Sequence, residues 1–228
     1  MPYEPRFKDR KEAGQALARH LEEFAGQKDV VVLALPRGGV PVGYKVAKAL
    51  DAPLDIFIVR KLGVPGQEEL AFGALASGGV TVFNEGIIKA IRMPEKLLQS
   101  VIEREQKELE RREQLYREGR PSLNVKDKIV IVVDDGLATG ATMAAAVMAL
   151  QEMGPKEVIA AVPVSSEAAC AEFLTQTRAR CISAATPEPF YGVGMWYENF
   201  SQTTDEEVKE LLAERNELVN SRAKAHSS

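Results

Sequence analysis

The stretches Val30 to Leu35, Leu54 to Val59 and Lys128 to Val133 are dominated by apolar, largely β-branched residues. They do not alternate with polar positions. That pattern predicts strands buried on both faces, as in a parallel sheet covered by helices. Val158 to Val164 and Cys181 to Ala184 extend the series. Between them the apolar positions recur at helical spacing. Ala13, Leu17, Leu21 and Phe24 follow a capping box at Asp9 and Glu12, with Gly26 as the stop. Val46, Ala47 and Leu50 mark a second helix, and a third runs from about Thr142 to Met153 before Gly154-Pro155. Ser165 or Ser166 caps a fourth. Thr204 and Glu207 box the start of a terminal helix that carries Val208, Leu211, Leu212 and Leu218. The alternation predicts an α/β fold: a doubly wound, mostly parallel sheet with helices on both faces.

Four segments break the alternation. Leu62 to Glu69 has Gly63, Pro65 and Gly66 and no periodicity, which predicts a mobile loop. Ala71 to Ser77 and Val80 to Asn84 flank Gly78-Gly79, a two-residue hairpin signal. Pro94 to Arg117 is very highly charged with only a narrow apolar stripe. It reads either as a solvated helix resting one edge on the domain or as a dimer contact. Thr186 to Phe200 is rich in Pro, Gly and aromatic residues and predicts an ordered, non-regular loop. The expected organisation is one domain over residues 1–220. It carries a charged helical insertion at about 94–118, a small hood at about 186–200 and a frayed tail at 221–228.

Composition narrows the classes. The 228 residues are 45% hydrophobic, enough for a real core, with a formal net charge of −4. That balance gives no basic footprint for nucleic acid. No apolar run approaches a membrane span and the N-terminus lacks a signal core. Cys170 and Cys181 read as free thiols in a reducing compartment, so a cytoplasmic protein is expected. His20 and His226 are far apart and predict no metal or catalytic role.

The chemistry concentrates in Ile129-Val130-Ile131-Val132-Val133-Asp134-Asp135-Gly136-Leu137-Ala138-Thr139-Gly140-Ala141-Thr142. A buried strand delivers two carboxylates to the carboxyl edge of the sheet, where α/β folds bind ligands. The chain then enters a helix through Thr139, Gly140 and Thr142. Backbone N–H groups at a helix start, with two hydroxyls and a glycine, suit a phosphate. The carboxylates would repel a phosphate but accept hydrogen bonds from sugar hydroxyls. One loop can therefore hold both ends of a ribose 5-phosphate.

Aliphatic residues, two acidic ones and then Thr-Gly-x-Thr resemble the fingerprint of type I phosphoribosyltransferases. The resemblance spans about Phe7 to Leu212, and it is similar to a bacterial subgroup carrying Arg60-Lys61-Leu62-Gly63 and the 134–142 motif. It implies a 5-phosphoribosyl pyrophosphate (PRPP) site made of Arg37, Gly38, Gly39, Arg60, Lys61, Asp134, Asp135, Ala138, Thr139, Gly140, Ala141 and Thr142. It implies that Arg37 and Lys61 stabilise the departing pyrophosphate, and that the loop to Glu69 closes over the reactants. Mg²⁺ is expected to be held mainly by PRPP, with no direct protein ligand. The acceptor would be a nitrogenous base or amine, with Trp196 and Tyr197 as candidates to stack on it. Two positions depart from the family: Gly136, and Ala138 where 6-oxopurine enzymes carry an Asp. Neither a nucleic-acid nor a membrane partner is expected, and a homodimer is one expected assembly. The alternative class is a regulator that keeps the fold and senses PRPP or a nucleotide with little catalysis.

Overall fold

The computed structural model describes residues 7–122 and 124–225. Strands β1 (Val30–Ala34), β2 (Leu54–Ile56), β6 (Ile129–Val133), β7 (Glu157–Val164) and β8 (Arg180–Ala185) form a parallel sheet in the order β2-β1-β6-β7-β8. Every residue of β1, β2 and β6 is buried, the cause of the unbroken apolar runs. Alternate residues of one strand go to opposite layers. Val30, Val32 and Ala34, with Ile129, Ile131 and Val133, pack against α1 (Arg10–Arg19), α2 (Gly39–Leu50), α4 (Glu95–Arg117) and α7 (Asp205–Ala225). Val31 and Leu33, with Val130 and Val132, pack against α5 (Ala141–Gln151) and α6 (Glu167–Thr177).

A second, antiparallel sheet is made of β3 (Val59–Val64), β4 (Gln67–Ala76) and β5 (Val80–Phe83). Here the structure corrects two expectations. The second core strand is only three residues long, and Val59 to Val64 leave it for the small sheet. The segment expected as a mobile loop is largely strand: Gly63 pairs with Ala71 and Val64 with Gln67 around an exposed Pro65-Gly66 turn. The run 59–64 mixes Arg60 and Lys61 with apolar neighbours, so it carries no clean strand period. The β4–β5 turn does sit at Gly78-Gly79, both with positive φ, with three residues between the last paired positions. The short α3 (Glu85–Ile91), capped by the Asn84 side chain, has no fully buried residue and rests on the core only through the partly buried Ile87 and Ile88, too little to mark a helical period.

Most helix boundaries follow their caps. Asp9 accepts from the Glu12 N–H, Ser166 from Ala169 and Thr204 from Glu207. The first helix ends at Arg19 rather than near Phe24, with a separate 3-10 turn over Glu22–Phe24. Helix α7 runs to Ala225, so residues 221–225, expected to fray, are helical. Residues 226–228, with His226, lie outside the described residues. His20 is the exposed C-cap of α1.

The charged helix rests one edge on the domain. Val101 and Leu109 are buried on it. Arg117 reaches Asp55 at 3.1 Å and donates to the Ile56 carbonyl at 3.0 Å, and Glu105 holds Arg60 at 2.6 Å. The cysteines, expected to be free, are bonded to each other. Cys170 on α6 and Cys181 on β8 lie on consecutive elements whose packing brings their Cα atoms to 5.7 Å, within the usual disulfide range. A spacing of eleven residues cannot show that packing. The cysteines therefore give no argument for a reducing compartment. Among the described residues no helix is long and apolar enough to cross a membrane.

Candidate functional site

The sheet order places β1 next to β6, with the chain winding outward in opposite directions from that pair. Ligands of open α/β sheets bind outside the carboxyl ends of the strands at such a switch point. The two loops singled out in the sequence, residues 36–39 after β1 and 134–142 after β6, leave from those two ends.

They touch. A Cβ on Gly38 would lie 2.1 Å from Asp135 Oδ2, and one on Gly39 would lie 2.6 Å from the Val133 carbonyl oxygen. A side chain at Gly39 would press on backbone and force the loops apart, and one at Gly38 would displace the Asp135 carboxylate. Both glycines are thus explained by close approach of the acidic loop, backbone at Gly39 and the Asp135 carboxylate at Gly38, rather than by unusual φ. Gly136 is closed from the other side, where a Cβ would meet Val193 at 2.4 Å.

The helix-start end of the motif is open. Gly140 has φ 71°, the left-handed region, and stands as N-cap of α5 with no side-chain cap bond. Ala138, Thr139, Ala141 and Thr142 are exposed. The N–H groups of the first helical turn have no partner within the helix, so a phosphate there meets donors and the positive end of the helix dipole.

The carboxylates are costly where they are. Asp134 accepts from the Asp135 N–H at 2.8 Å. Burial, then the charge of Asp135, pushes its carboxyl well above the usual carboxylate range. Burial also raises Asp135, opposed by Arg10. An acid whose folded pKa is raised destabilises the fold as pH climbs, because the unfolded chain ionises first. As pH falls through the ordinary Asp value of about 3.9, the unfolded chain takes up its proton too and the penalty fades. We expect Asp134→Asn, whose amide oxygen can keep the Asp135 bond, to raise the melting temperature at pH 8. The gain is on the order of 2–4 °C, about 1 kcal/mol for a chain of this length, and should shrink toward zero near pH 3.5. Scanning calorimetry across pH checks it.

The other expected site residues are placed as follows. Arg37 is half-buried and faces Asp205 at the start of α7, Nη1 to Oδ1 3.7 Å. Asp205 also accepts from the Tyr116 hydroxyl of α4 at 2.6 Å. Burial, then that bond to Asp205, pushes the Tyr116 phenol up to about 12. Lys61 is exposed on β3 and lines a cleft of about 450 Å³ with Ala141, Ala144 and Met148 of α5. Arg60 points elsewhere, into its pair with Glu105. Trp196 and Tyr197 do not stand open. They pack with Phe7, Ala13, Val164 and Ala185, and Tyr197 donates its hydroxyl to the Asp135 carbonyl at 2.6 Å. Tyr197 is thus a post under the acidic loop, while Tyr191 in the same segment is exposed.

Arg10 and Asp205 were not singled out in the sequence. Each sits at the start of a capped helix, where a charge is unremarkable. Only the 125-residue contact of Arg10 with Asp135 gives it meaning.

No described cluster of three or more His, Cys, Asp or Glu could cage a metal. Asp134 and Asp135 are two adjacent carboxylates, too few on their own for such a cage.

A family model described as a phosphoribosyl transferase domain matches residues 7–73 and 65–185. Two Mycobacterium tuberculosis proteins (strains CDC 1551 and H37Rv), provisionally named phosphoribosyl transferases, are each 44% identical over 206 residues, 90% of this chain. The chain spans 46% of their length. The crystal structure of TT1426 from Thermus thermophilus is 39% identical and covers 92% of this chain and 98% of its own, with a TM-score of 0.81.

Proposed function

The chain belongs to the phosphoribosyl transferase domain family, and from that premise we propose that it transfers the 5-phosphoribosyl group of PRPP to a nitrogenous base or amine. The observation that carries this reading is the contact of the 36–39 loop with Asp134 and Asp135 at the switch point, beside an uncapped helix start. That juxtaposition suits a ligand with phosphate at one end, vicinal hydroxyls in the middle and pyrophosphate at the other.

In this reading the first turn of α5, with Thr139 and Thr142, takes the 5-phosphate. Asp134 and Asp135 accept from the ribose hydroxyls. Gly38 and Gly39 let the backbone approach the pyrophosphate, and Arg37 neutralises charge as it departs. Lys61, across the cleft from the same helix, reaches the leaving group from the small sheet. Mg²⁺, when bound with the donor, supplies further charge neutralisation on the pyrophosphate oxygens. The enzyme's share is positioning: the nucleophilic nitrogen displaces pyrophosphate from C1 of the ribose, and the proton on that nitrogen goes to solvent or a base.

The turn Val64 to Gln67 is the proposed lid tip. It is expected to gain hydrogen-exchange protection with PRPP and Mg²⁺, while β6 shows no change. Equal exchange with and without donor would remove the lid from the mechanism.

The test of activity is a panel of purines, pyrimidines and small amines with PRPP and Mg²⁺, read as acceptor-dependent pyrophosphate release. Release with one acceptor class identifies the reaction. PRPP binding without release for any acceptor favours a sensor.

A further inference from the structure

We infer that Arg10 is a positioning residue of the donor site: it occupies one oxygen of Asp135, holds that carboxylate ionised and aimed, and leaves the ribose a defined acceptor. This rests on the reading of Asp134 and Asp135 as the ribose-binding carboxylates.

Arg10 is the first residue of α1, directly after the Asp9 cap. Its Nε and Nη2 both lie 2.9 Å from Asp135 Oδ2. Nη1 donates to the Ser201 carbonyl at 2.6 Å, and the guanidinium carbon stands 4.0 Å from the centre of the Phe200 ring. The Arg10 side chain is 11% exposed. One planar cation thus joins the N-terminal helix, the acidic loop and the 197–201 segment. A guanidinium fixed on both edges and stacked on a ring aims its donors more rigidly than an ammonium could.

The arrangement apportions the acceptor oxygens. Asp135 Oδ2 is taken by Arg10, and Asp134 Oδ1 is taken by the Asp135 N–H. Among the described residues no other side chain bonds to these carboxylates, and beyond backbone contacts the second oxygen of each is what this reading assigns to the ribose. Asp135, held ionised, offers an acceptor to one ribose hydroxyl, and Asp134, whose carboxyl burial pushes well above the usual range, meets the vicinal one. Without Arg10, Asp135 would be free to turn and to take up a proton in its buried position. It would then present a donor where the sugar needs an acceptor.

The charged and titratable groups facing Asp135 are Arg10 from α1, Asp134 on the same loop and Tyr197 from below. Arg37 turns toward Asp205 and does not replace Arg10. Against the larger upward push of burial, Arg10 is the side-chain cation that favours the ionised form of Asp135.

Two measurements test this, with Arg10→Gln to remove the charge and Arg10→Lys to restore it. The first needs no donor: the Asp135 side-chain carboxyl carbon is followed by NMR across pH in the free protein. The titration should move up in pH in Arg10→Gln and move back in Arg10→Lys; an unmoved titration overturns the proposal. The second is calorimetric titration of PRPP with Mg²⁺ between pH 6 and 9. Arg10→Gln should bind about ten-fold more weakly near pH 7, a loss that narrows as pH rises, with Arg10→Lys restoring most of it. A loss equal at every pH, or none, overturns the proposal and leaves Arg10 as packing. If the parent protein does not bind PRPP, the donor-site reading fails, and the carboxyl titration still decides whether Arg10 sets the charge of Asp135.

Discussion

Arg37→Ala should slow acceptor-dependent pyrophosphate release about 100-fold, the usual cost of removing one donor aimed at developing charge. Its stability should hardly change. The one ion pair it loses, to Asp205 at 3.7 Å, is partly exposed, and such pairs contribute roughly 0–1 kcal/mol. The split between a large kinetic and a small thermal effect is the informative result. It separates a residue that acts on the leaving group from one that holds the loop. Steady-state kinetics beside a melting curve of the same preparation measure both. A rate within about three-fold of the parent would remove Arg37 from the chemistry, since an oxyanion-type donor cannot be worth so little.

Gly39→Ala should fail differently. Its Cβ would meet backbone, the Val133 carbonyl oxygen at 2.6 Å and the Asp134 Cα at 3.0 Å, and backbone at the end of a buried strand cannot rotate aside. Overpacking of this kind costs about 2 kcal/mol, roughly 4–8 °C for a chain of this length. The two loops would also part, so PRPP affinity should fall with stability. Gly26→Ala is the control. It sits at φ +73° with nothing within 4 Å of a Cβ, so it carries only backbone strain, about 1 kcal/mol, and should leave PRPP affinity intact. Donor affinity lost in Gly39→Ala beyond its melting loss, and kept in the destabilised Gly26→Ala, would show that close approach, rather than general stability, is what Gly39 supplies.

What was legible in the sequence follows from what is local. A strand buried on both faces writes itself as an unbroken apolar run, so β1, β6 and the loops at their ends were readable. Caps are also local, and Asp9, Ser166 and Thr204 mark their helices in the structure. Of the small sheet only the β4–β5 hairpin was readable, from Gly78-Gly79; β3 was not, because Arg60 and Lys61 interrupt it and it pairs with β4 across a turn that reads as a loop. Arg60 shows the consequence: placed by sequence beside Arg37, it is turned by β3 toward Glu105. Arg10 and Asp205 were invisible as site neighbours, and Tyr197 as a support of the acidic loop, for a further reason. Their partners lie far along the chain, and no spacing rule reports a contact of that kind. The same holds for Cys170 and Cys181, whose pairing depends on how α6 lies against β8.

The central claim is that residues 134–142 bind PRPP through both halves of the motif. Calorimetric titration of PRPP with Mg²⁺ into the parent protein and into Asp134→Asn/Asp135→Asn tests it most directly, with folding of the variant checked by its melting curve. The account predicts one site per chain in the parent and at least about a ten-fold loss in the folded variant, since two charge-assisted hydrogen bonds to the sugar are weakened. Equal affinity in the two proteins would contradict it.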